Sequence, residues 1–403
     1  MKILWVKAGG LVPPDTGGKI RSYNILRELA REHAITFFSF YSAHAGDAHA
    51  ELNTVFEKVV CIPLDLPAPK SFREALNYGV RLFTDQPYNI SKYCRPQVRA
   101  ALQRVLQQET FDVIVCDFVI AAGAIPWDSP IPMVLFTHNV ESVIWQRHYQ
   151  VANNPIWKLL SWREWRTMEA AERKYLRRAN HVLAVSEDDR DFFCKYVDAA
   201  RLSVIPTGAD TQYFRPTSTP ETLHSLVFTG SMDWLPNEDA IIFFTKEILP
   251  LIRKEVPDVS LTVVGRKPSQ RLSELAASQA NIKLTGWVED IRPFLASSAV
   301  CIVPLRIGGG TRLKIFEAMS MGKAVVSTTV GAEGLPVRRG EHLLIADEPT
   351  AFASSTVSLL SDPVRRHELG DAARKLVEEK YSWVQVAKAF AQVLTKVVRE
   401  SGS

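Results

Sequence analysis

The sequence lacks long hydrophobic runs and contains few cysteines. No window reaches the roughly 18 uncharged apolar residues that a membrane-spanning helix requires, and the apolar stretch Met1–Val6, which breaks at Gly9, is too short for the core of a signal peptide. The cysteines are Cys61, Cys94, Cys116, Cys194 and Cys301. An odd number of distant cysteines, mostly in apolar runs, favours reduced buried thiols. We therefore expect a cytoplasmic protein whose membrane contact, at the inner face of the cell membrane, is peripheral.

An excess of charge of one sign is also missing. The 48 basic and 44 acidic residues leave a net charge of +4, well short of the concentrated basic face of a nucleic-acid-binding protein. Hydrophobic residues make up 46% and charged residues 23%, which is typical of a globular protein. A chain of 403 residues exceeds what one hydrophobic core usually holds. The composition thus excludes a nucleic-acid partner and predicts two domains with a cleft between them.

Short apolar runs alternate with helical patterns along the whole chain, which is typical of parallel sheets covered by helices. The first series of predicted strands comprises 3–6, 35–40, 59–62, 113–116, 133–136, 182–185 and 202–205. After the proline-rich segment 206–220 the second series comprises 226–229, 261–264, 282–284, 300–303, 324–327 and 343–345. The pattern predicts an α/β fold with two Rossmann-like, doubly wound domains. They are placed at 1–210, together with a helical stripe at 384–403, and at 211–383.

The strongest local signal is the segment from Val303 to Met319, where a predicted strand runs into Gly308, Gly309 and Gly310 and then into a helix. Glycines at such a turn let the backbone approach a ligand, and the free amides at a helix start attract anions. Arg312 and Lys314 add positive charge suited to a diphosphate, and Glu317 offers a carboxylate that accepts hydrogen bonds from hydroxyl groups. The alternative is a surface loop that caps a helix. The basic pair together with Glu317 favours the ligand site.

A second glycine turn, Gly17-Gly18, precedes a predicted helix at 20–31. It does not match GxGxxG, so a dehydrogenase-type dinucleotide site is poorly supported. A phosphate cradle and an ordinary strand-to-helix loop are about equally supported.

The run Thr137-His138-Asn139 follows the predicted strand 133–136 directly. Side chains at the carboxyl ends of parallel strands face the ligand crevice, so His138 is a candidate for hydrogen bonding or proton transfer. The alternative is a helix cap made by Asn139, with His138 merely packed. The position at the strand end favours the functional interpretation.

No metal site is predicted. The histidines show no HxxH or HExxH spacing, and no Asp-x-Asp follows a strand. The acidic run Glu187-Asp188-Asp189 is instead predicted to form the first turn of a helix capped by Ser186.

The segment Ile156–Arg178 combines Trp157, Trp162 and Trp165 with several basic residues. Basic helices with tryptophans can lie on anionic bilayers. The alternative is a surface helix whose aromatic residues pack into the domain. Glu164, Glu169 and Glu172 dilute the charge, which favours this alternative.

Seven motifs in order resemble family 4 glycosyltransferases of the GT-B fold, over almost the whole chain. The branch that the sequence resembles most serves bacterial exopolysaccharide and exosortase systems. The motifs are Asp15-Thr16-Gly17-Gly18, Val185-Ser186-Glu187, Ile205-Pro206-Thr207-Gly208-Ala209-Asp210, Phe228-Thr229-Gly230-Ser231, Val264-Gly265, Gly286-Trp287-Val288-Glu289-Asp290, and the run from Gly309 to Met319.

The resemblance implies two domains facing a cleft, an acceptor domain first and a donor domain second, with a last helix that crosses back to the first domain. It implies a retaining, metal-independent transfer from a UDP- or GDP-sugar to a glycan or lipid-linked acceptor in cell-surface polysaccharide synthesis. No cofactor is expected besides the nucleotide-diphospho-sugar, which is the donor substrate.

The resemblance also assigns roles to residues. It places the donor diphosphate at the Gly17 and Gly18 amides, the transferred sugar at His138, the ribose at Glu317, and the base beside Trp287 and Val288. The further predicted donor-binding residues are Gly230, Ser231, Gly265, Arg266, Gly309, Gly310, Thr311 and Leu313. His138, Arg312 and Lys314 are the predicted catalytic residues.

The sequence departs from the family in two places. Gly309 occupies the position of the first glutamate of a pair, and Ser231 and Asn237 align with the arginine and lysine that neutralise the diphosphate. Arg312 and Lys314, helped by Arg266, are predicted to supply that charge instead. The departures leave open a nucleotide-sugar-binding subunit without catalysis. A sugar-nucleotide epimerase is the second alternative, and it would need carboxylates around the sugar that the sequence does not place.

Overall fold

A computed structural model describes residues 1–14, 16–42, 50–68, 71–82, 84–152, 154–307 and 313–402. Contacts divide the chain into two compact units. The first comprises Met1–Pro206 with Val386–Ser403, and the second Thr207–Gln385. The sequence placed these divisions at 210/211 and 383/384.

The first unit is built on a seven-stranded parallel sheet. Its strands are β1 (Lys2–Ala8), β2 (Ala34–Ser42), β3 (Lys58–Leu64), β4 (Val113–Asp117), β5 (Met133–Phe136), β6 (His181–Ala184) and β7 (Leu202–Val204). They lie in the order β3-β2-β1-β4-β5-β6-β7. The order turns back beside β1, so β1 and β4 are neighbours although more than a hundred residues separate Ile3 from its partner Val113. In such sheets ligands bind at the carboxyl ends of the strands next to the reversal.

The second unit repeats this plan with six parallel strands. They are β8 (Ser225–Thr229), β9 (Ser260–Val264), β10 (Ile282–Leu284), β11 (Val300–Val303), β12 (Ala324–Ser327) and β13 (Leu344–Ile345). Their order is β10-β9-β8-β11-β12-β13, so the reversal lies between β8 and β11. The predicted α/β fold with two Rossmann-like sheets is confirmed.

Helices connect the strands in both units. Those of the first unit are α1 (Gly17–Leu29), α2 (Phe72–Arg81), α3 (Tyr88–Tyr93), α4 (Pro96–Gln108), α5 (Glu141–Val151), α6 (Pro155–Arg178) and α7 (Glu187–Phe193). Those of the second unit are α8 (Leu235–Phe243), α9 (Leu249–Glu255), α10 (Gln270–Ala277), α11 (Arg292–Ser297), α12 (Leu313–Ser320), α13 (Pro349–Ser361) and α14 (Pro363–Leu376). The last helix, α15 (Trp383–Ser401), begins in the second unit, and its residues from Val386 onward belong to the first.

Two local predictions about helices have different outcomes. Ser186 caps α7 as expected, because its hydroxyl oxygen accepts a hydrogen bond from the backbone N–H of Asp189 at 3.1 Å. The helical pattern of the sequence over Glu238–Glu255 predicts one continuous helix, but a wider π turn at Phe244–Ile248 separates α8 from α9. Pro250 has no N–H to donate to the preceding turn, which accounts for the irregularity there.

The cysteines follow the prediction only in part. Cys94, Cys116 and Cys301 are buried and Cys61 is partly buried, but Cys194 is exposed at the end of α7. Burial raises the pKa of the Cys94 and Cys301 thiols to about 12, so these two are unreactive packing residues.

Candidate functional site

Three polar side chains of the first unit lie at the carboxyl ends of neighbouring strands. Lys7 is near the end of β1, Asp117 is the last residue of β4, and His138 follows β5. All three are almost fully buried. With Trp5, Arg21 and Ser22 they form a group that we call the His138 cluster.

Asp117 is the centre of the His138 cluster. Its Oδ2 accepts hydrogen bonds from Lys7 Nζ at 3.0 Å and from Trp5 Nε1 at 2.8 Å, and its Oδ1 lies 2.6 Å from His138 Nε2. Lys7 also donates to Ser22 Oγ at 3.0 Å, and Ser22 donates to the carbonyl oxygen of Gly18 at 2.9 Å. Burial alone would disfavour the charged carboxylate, but Lys7 and His138 lower the pKa of Asp117 overall. Asp117 therefore remains a negatively charged carboxylate at the strand ends.

The hydrogen bonds also determine the protonation of His138. Arg21 Nη1 lies 3.0 Å from His138 Nδ1, and a guanidinium has only donors, so Nδ1 carries the lone pair and Nε2 donates its hydrogen to Asp117. Burial lowers the pKa of His138 to about 4, although Asp117 opposes this shift. Both ring nitrogens are thus engaged. A substrate hydroxyl group reaches one of them only when Arg21 or Asp117 gives up its bond.

The pH dependence of stability should reveal the buried neutral His138. The unfolded histidine has a pKa near 6.5, whereas the folded one titrates at about 4, so the unfolded chain binds the proton first. The stability associated with the neutral ring is therefore complete above about pH 6.5 and is lost as the pH falls toward 4, by up to about 3 kcal/mol. Denaturant unfolding of the wild type and His138→Gln at several pH values measures this loss.

The comparison with His138→Gln isolates one group. A glutamine amide can still accept from Arg21 and donate to Asp117, but it does not titrate. The free energy of unfolding of the variant should fall less steeply between pH 6.5 and 4 than that of the wild type. Parallel slopes in the two proteins would contradict the assignment.

The glycine turn lies beside this cluster. A Cβ atom added to Gly18 would stand 3.9 Å from His138 Cγ, while a Cβ on Gly17 would meet no atom within 4 Å. Both residues begin α1, so their backbone N–H groups belong to the unpaired first turn of a helix.

The alternative in which Asn139 caps the following helix is wrong. The carboxylate of Glu172 on α6 instead accepts from the backbone N–H groups of Glu141 at 2.7 Å and Ser142 at 3.3 Å. The cap of α5 thus comes from a distant helix, which leaves Asn139 out of that role.

In the second unit, two cations lie against two neutral side chains. Lys314 Nζ donates to Asn237 Oδ1 at 2.8 Å, and Arg266 Nε donates to Ser231 Oγ at 2.8 Å. Asn237 Nδ2 in turn donates to the carbonyl oxygen of Ser231 at 2.8 Å. Together with Gly230 and Gly265, these four residues form a group that we call the Lys314 cluster. It lies at the carboxyl ends of β8 and β9.

The glycines make room for the lysine. A Cβ on Gly230 would stand 2.7 Å from Lys314 Nζ, and a Cβ on Gly265 would stand 1.7 Å from the carbonyl oxygen of Gly230. The second contact is with backbone and cannot be relieved by rotating a side chain. The ammonium group also lies 3.9 Å from the centre of the Phe228 ring. Because Gly230 has no side chain, the ammonium group of Lys314 can lie directly at the end of β8.

Glu317 lies one helical turn beyond Lys314 on α12. Its carboxylate is partly buried and receives no hydrogen bond from any residue that the structure describes. Burial raises the pKa of Glu317 to about 7, although the neighbouring positive charge of Lys314 partly opposes this shift. Because no described residue donates a hydrogen bond to it, this carboxylate can accept one from a ligand hydroxyl group.

The residues predicted to border the base are divided in their exposure. The Trp287 side chain is 72% exposed, while Val288 packs partly buried against the core. Gly286 pairs with Gly265 in an isolated antiparallel bridge, which holds this loop beside the Lys314 cluster. Leu313, the first residue of α12, is partly buried.

Five residues of the glycine motif, 308–312, lie outside the described residues, and these include Gly309, Gly310, Thr311 and Arg312. Over the part of the chain that the structure describes, no three His, Cys, Asp or Glu side chains are grouped as a metal site would require.

Sequence reasoning missed Lys7, Asp117 and Arg21. The rule that singled out His138, a polar residue at the end of an apolar strand, applies equally to Lys7 and Asp117. Arg21 had no such signal, because only the fold brings the second turn of α1 next to the residues that follow β5.

Solved structures of known proteins share this architecture. The sucrose-phosphate synthase of Thermosynechococcus elongatus matches with a TM-score of 0.69 at 18% identity, covering 99% of both chains. The Anabaena protein HepE in complex with UDP matches with a TM-score of 0.67 at 16% identity, covering 98% of this chain and 100% of that one. At these identities the likeness defines the fold, which is the GT-B fold of glycosyltransferases.

Family models and relatives identify the family. The model of Glycosyltransferase Family 4 matches residues 16–213, and that of Glycosyl transferases group 1 matches residues 224–362. This chain belongs to the family 4 glycosyltransferases. An α-(1→4)-mannosyltransferase of Mycolicibacterium hassiacum is 24% identical over 355 residues, which is 83% of this chain and 82% of the relative.

Other curated relatives match over shorter stretches. A GDP-mannose-dependent mannosyltransferase of Corynebacterium glutamicum, which acts on a monoacylated phosphatidylinositol monomannoside, is 26% identical over 47% of this chain and 55% of its own length. An uncharacterised Klebsiella pneumoniae protein from the cps region matches over 42% of its length. The chain therefore spans about half the length of these two relatives.

Proposed function

We propose that this protein transfers a sugar from a UDP- or GDP-sugar to a glycan or lipid-linked acceptor, with retention of configuration and without a metal ion. The observation that carries the proposal is the Lys314 cluster. Ser231 and Asn237 stand where the family resemblance leads one to expect two cations, and Arg266 and Lys314 each donate a hydrogen bond to one of them. Positive charge is thus retained at these two positions by residues from other elements.

The chemistry explains why that charge matters. In the proposed reaction the acceptor hydroxyl group attacks the anomeric carbon from the side on which the nucleotide leaves, and a diphosphate oxygen takes the proton. No residue of the protein acts as a nucleophile. The protein positions the two substrates and stabilises the negative charge that develops on the leaving diphosphate. Lys314 and Arg266 would do so in the second unit, which we assign as the donor unit, and the first unit would hold the acceptor.

The other proposed roles are those that the family resemblance implies, and the described geometry is compatible with them. The partly buried Glu317 carboxylate accepts hydrogen bonds from the donor ribose, and the exposed Trp287 offers a ring to the base. In the first unit, His138 stays neutral because burial lowers its pKa to about 4. A neutral histidine beside the transferred sugar acts through a hydrogen bond, made when Arg21 or Asp117 releases one ring nitrogen, and not as a charged acid.

Named relatives support a nucleotide-sugar donor but not a single base. One relative in Corynebacterium glutamicum is GDP-mannose-dependent, an Escherichia coli relative uses UDP-Gal, and one structural neighbour was solved with UDP-glucose. The relatives in Corynebacterium glutamicum and Escherichia coli are named as transferases. Their names favour catalysis over the non-catalytic alternative.

Donor binding and transfer can be tested on the purified protein. Melting in the presence of UDP and GDP should show stabilisation by one of them, about 3 kcal/mol at a hundredfold excess over the dissociation constant. Sugar transfer from the matching donor, followed by NMR of the anomeric proton, should give a retained product at the same rate with and without EDTA. Stabilisation by neither nucleotide would refute the donor site. Binding without hydrolysis or transfer would favour the non-catalytic subunit.

A further inference from the structure

Helix α2 presents its apolar side to solvent. Phe72, Leu76 and Val80 follow one another at four-residue spacing and therefore share one face, and their side chains are 80%, 56% and 77% exposed. None of the helix residues is buried. An amphipathic helix of a globular protein normally turns this face toward the core, so the orientation of α2 requires an explanation.

Polar contacts hold α2 in this orientation. Glu74 accepts a hydrogen bond from Lys92 of α3 at 3.0 Å, and the Tyr78 hydroxyl group donates to Glu164 of α6 at 2.9 Å. Glu74 and Tyr78 lie on the side of the helix opposite to the apolar stripe. The inner side of α2 is thus fixed to the domain by these bonds, and the outward stripe is part of a defined arrangement.

Helix α6 continues the apolar surface. Arg163 joins the two helices, since its guanidinium donates to the carbonyl oxygens of Arg81 at 2.7 Å and Leu82 at 3.1 Å. The first turns of α6, next to this junction, expose Ile156 by 71%, Leu159 by 63% and Trp162 by 46%. Two exposed apolar stripes therefore lie on helices that contact each other.

The charge on α6 is also one-sided. The glutamates were expected to dilute its basic character, but Glu164 and Glu172 are buried and bond inward, and Glu169 pairs with Arg166. The exposed basic residues are Lys158, Arg166, Arg173, Lys174, Arg177 and Arg178. Arg166 pairs with Glu169 and Arg178 pairs with Asp128, and Lys158, Arg173, Lys174 and Arg177 are the other four. Glu164 and Glu172 therefore do not dilute the surface charge of α6, because their side chains point away from the surface, whereas Glu169 does.

We propose that this surface, the α2–α6 face, docks on an anionic lipid bilayer. The face consists of the apolar stripes of Phe72–Val80 and Ile156–Trp162 and the exposed cations of α6. Apolar side chains enter the boundary between headgroups and acyl chains, tryptophans prefer that boundary, and cations attract anionic headgroups. A second copy of the chain is a poorer partner, because it would bring the same row of cations against itself.

The row of cations follows the exposed side of α6. Leu159, Trp162, Arg166, Arg173 and Arg177 succeed one another at intervals of three, four or seven residues, so they lie along one side of the helix. The opposite side buries Met168 and Tyr175 in the core. Apolar and basic groups are thus presented together, as an interfacial helix requires. Among the described residues, no helix is long and apolar enough to cross a bilayer.

Vesicle co-sedimentation of the full-length protein tests the docking. The protein should bind vesicles of mixed phosphatidylglycerol and phosphatidylcholine, bind pure phosphatidylcholine at least tenfold more weakly, and detach from the anionic vesicles at high salt. The double variant Leu76→Asn/Val80→Asn should weaken binding by about tenfold or more, because two inserted apolar side chains are lost. Both positions are exposed, so the fold should tolerate the changes.

A matched control comes from the second unit. Val364 is 68% exposed, close to Val80, and Val364→Asn should leave binding unchanged. Equal binding to neutral and anionic vesicles, or full binding by the double variant, would overturn the proposal. The proposal would also be overturned if the wild type did not bind vesicles but self-associated, and if the double variant abolished that self-association. The assay needs neither donor nor acceptor, so its result is independent of the proposed sugar transfer.

Discussion

Replacing Lys314 by alanine should lower kcat/KM for sugar transfer by about 10² to 10³. The ammonium group lies at the end of β8, 2.8 Å from Asn237 Oδ1, where the leaving diphosphate is proposed to bind. Removal of one preorganised group that stabilises developing negative charge typically costs this much. Initial rates at varied donor concentration would measure the loss. If the charge acts mainly on the leaving group, kcat should fall more than KM rises.

Two further variants separate charge from packing. Lys314→Met keeps the length of the side chain and its contact with the Phe228 ring but removes the charge, so it should be nearly as slow as Lys314→Ala. Lys254 is an exposed lysine at the end of α9 in the same unit, and Lys254→Ala should transfer sugar at the wild-type rate. A Lys314→Ala protein with unchanged turnover would show that the charge is supplied elsewhere.

The strands could be predicted because they are buried on both faces. A run such as Val113–Cys116 has no polar residue that would allow another interpretation, and the structure extends this strand by only one residue, to Asp117. The break between α8 and α9 was not predictable in the same way. The apolar period continues through Phe244–Ile248, and only the backbone shows the wider turn.

The Lys314 cluster shows what spacing along the chain cannot supply. The sequence identified Ser231 and Asn237 as neutral positions where cations were expected, and it named Lys314 and Arg266 as substitutes. It could not show that each substitute bonds to one of those residues, because 77 positions separate Lys314 from Asn237 and 35 separate Arg266 from Ser231. The adjacency arises from the parallel order of β9, β8 and β11.

On helix α6, counting the charged residues of the sequence led to a wrong expectation for the surface charge. Counting Glu164 and Glu172 as surface charge assumed that every charged side chain of a long helix is solvated. In the fold both carboxylates accept hydrogen bonds from backbone N–H groups, of Tyr88 at 2.9 Å and of Glu141 at 2.7 Å. A count of charged residues in the sequence cannot distinguish such buried carboxylates from solvent-exposed ones.

The His138 cluster should dominate the stability of the first unit. We expect Asp117→Ala to lower the free energy of unfolding by about 3–5 kcal/mol, because it leaves the buried ammonium group of Lys7 without its counter-charge. Asp117→Asn should also be strongly destabilising. A carboxylate accepts hydrogen bonds from Trp5, Lys7 and His138, whereas an asparagine side chain has one acceptor oxygen and points its amide group toward another donor. Denaturant unfolding monitored by tryptophan fluorescence would measure both losses.

An exposed ion pair provides the control. Asp128 pairs with Arg178 at the surface and its side chain is 92% exposed, so Asp128→Asn should change stability by less than about 1 kcal/mol. The pH adds a second check. Since Lys7 and His138 lower the pKa of Asp117, its contribution is complete above the unfolded value near 4 and is lost as the pH falls further. Adding Lys7→Met to Asp117→Asn should recover part of the lost stability, because it removes the unpaired cation. A double variant no more stable than Asp117→Asn would mean that the hydrogen bonds from Trp5 and His138, and not the charge of Lys7, account for the loss.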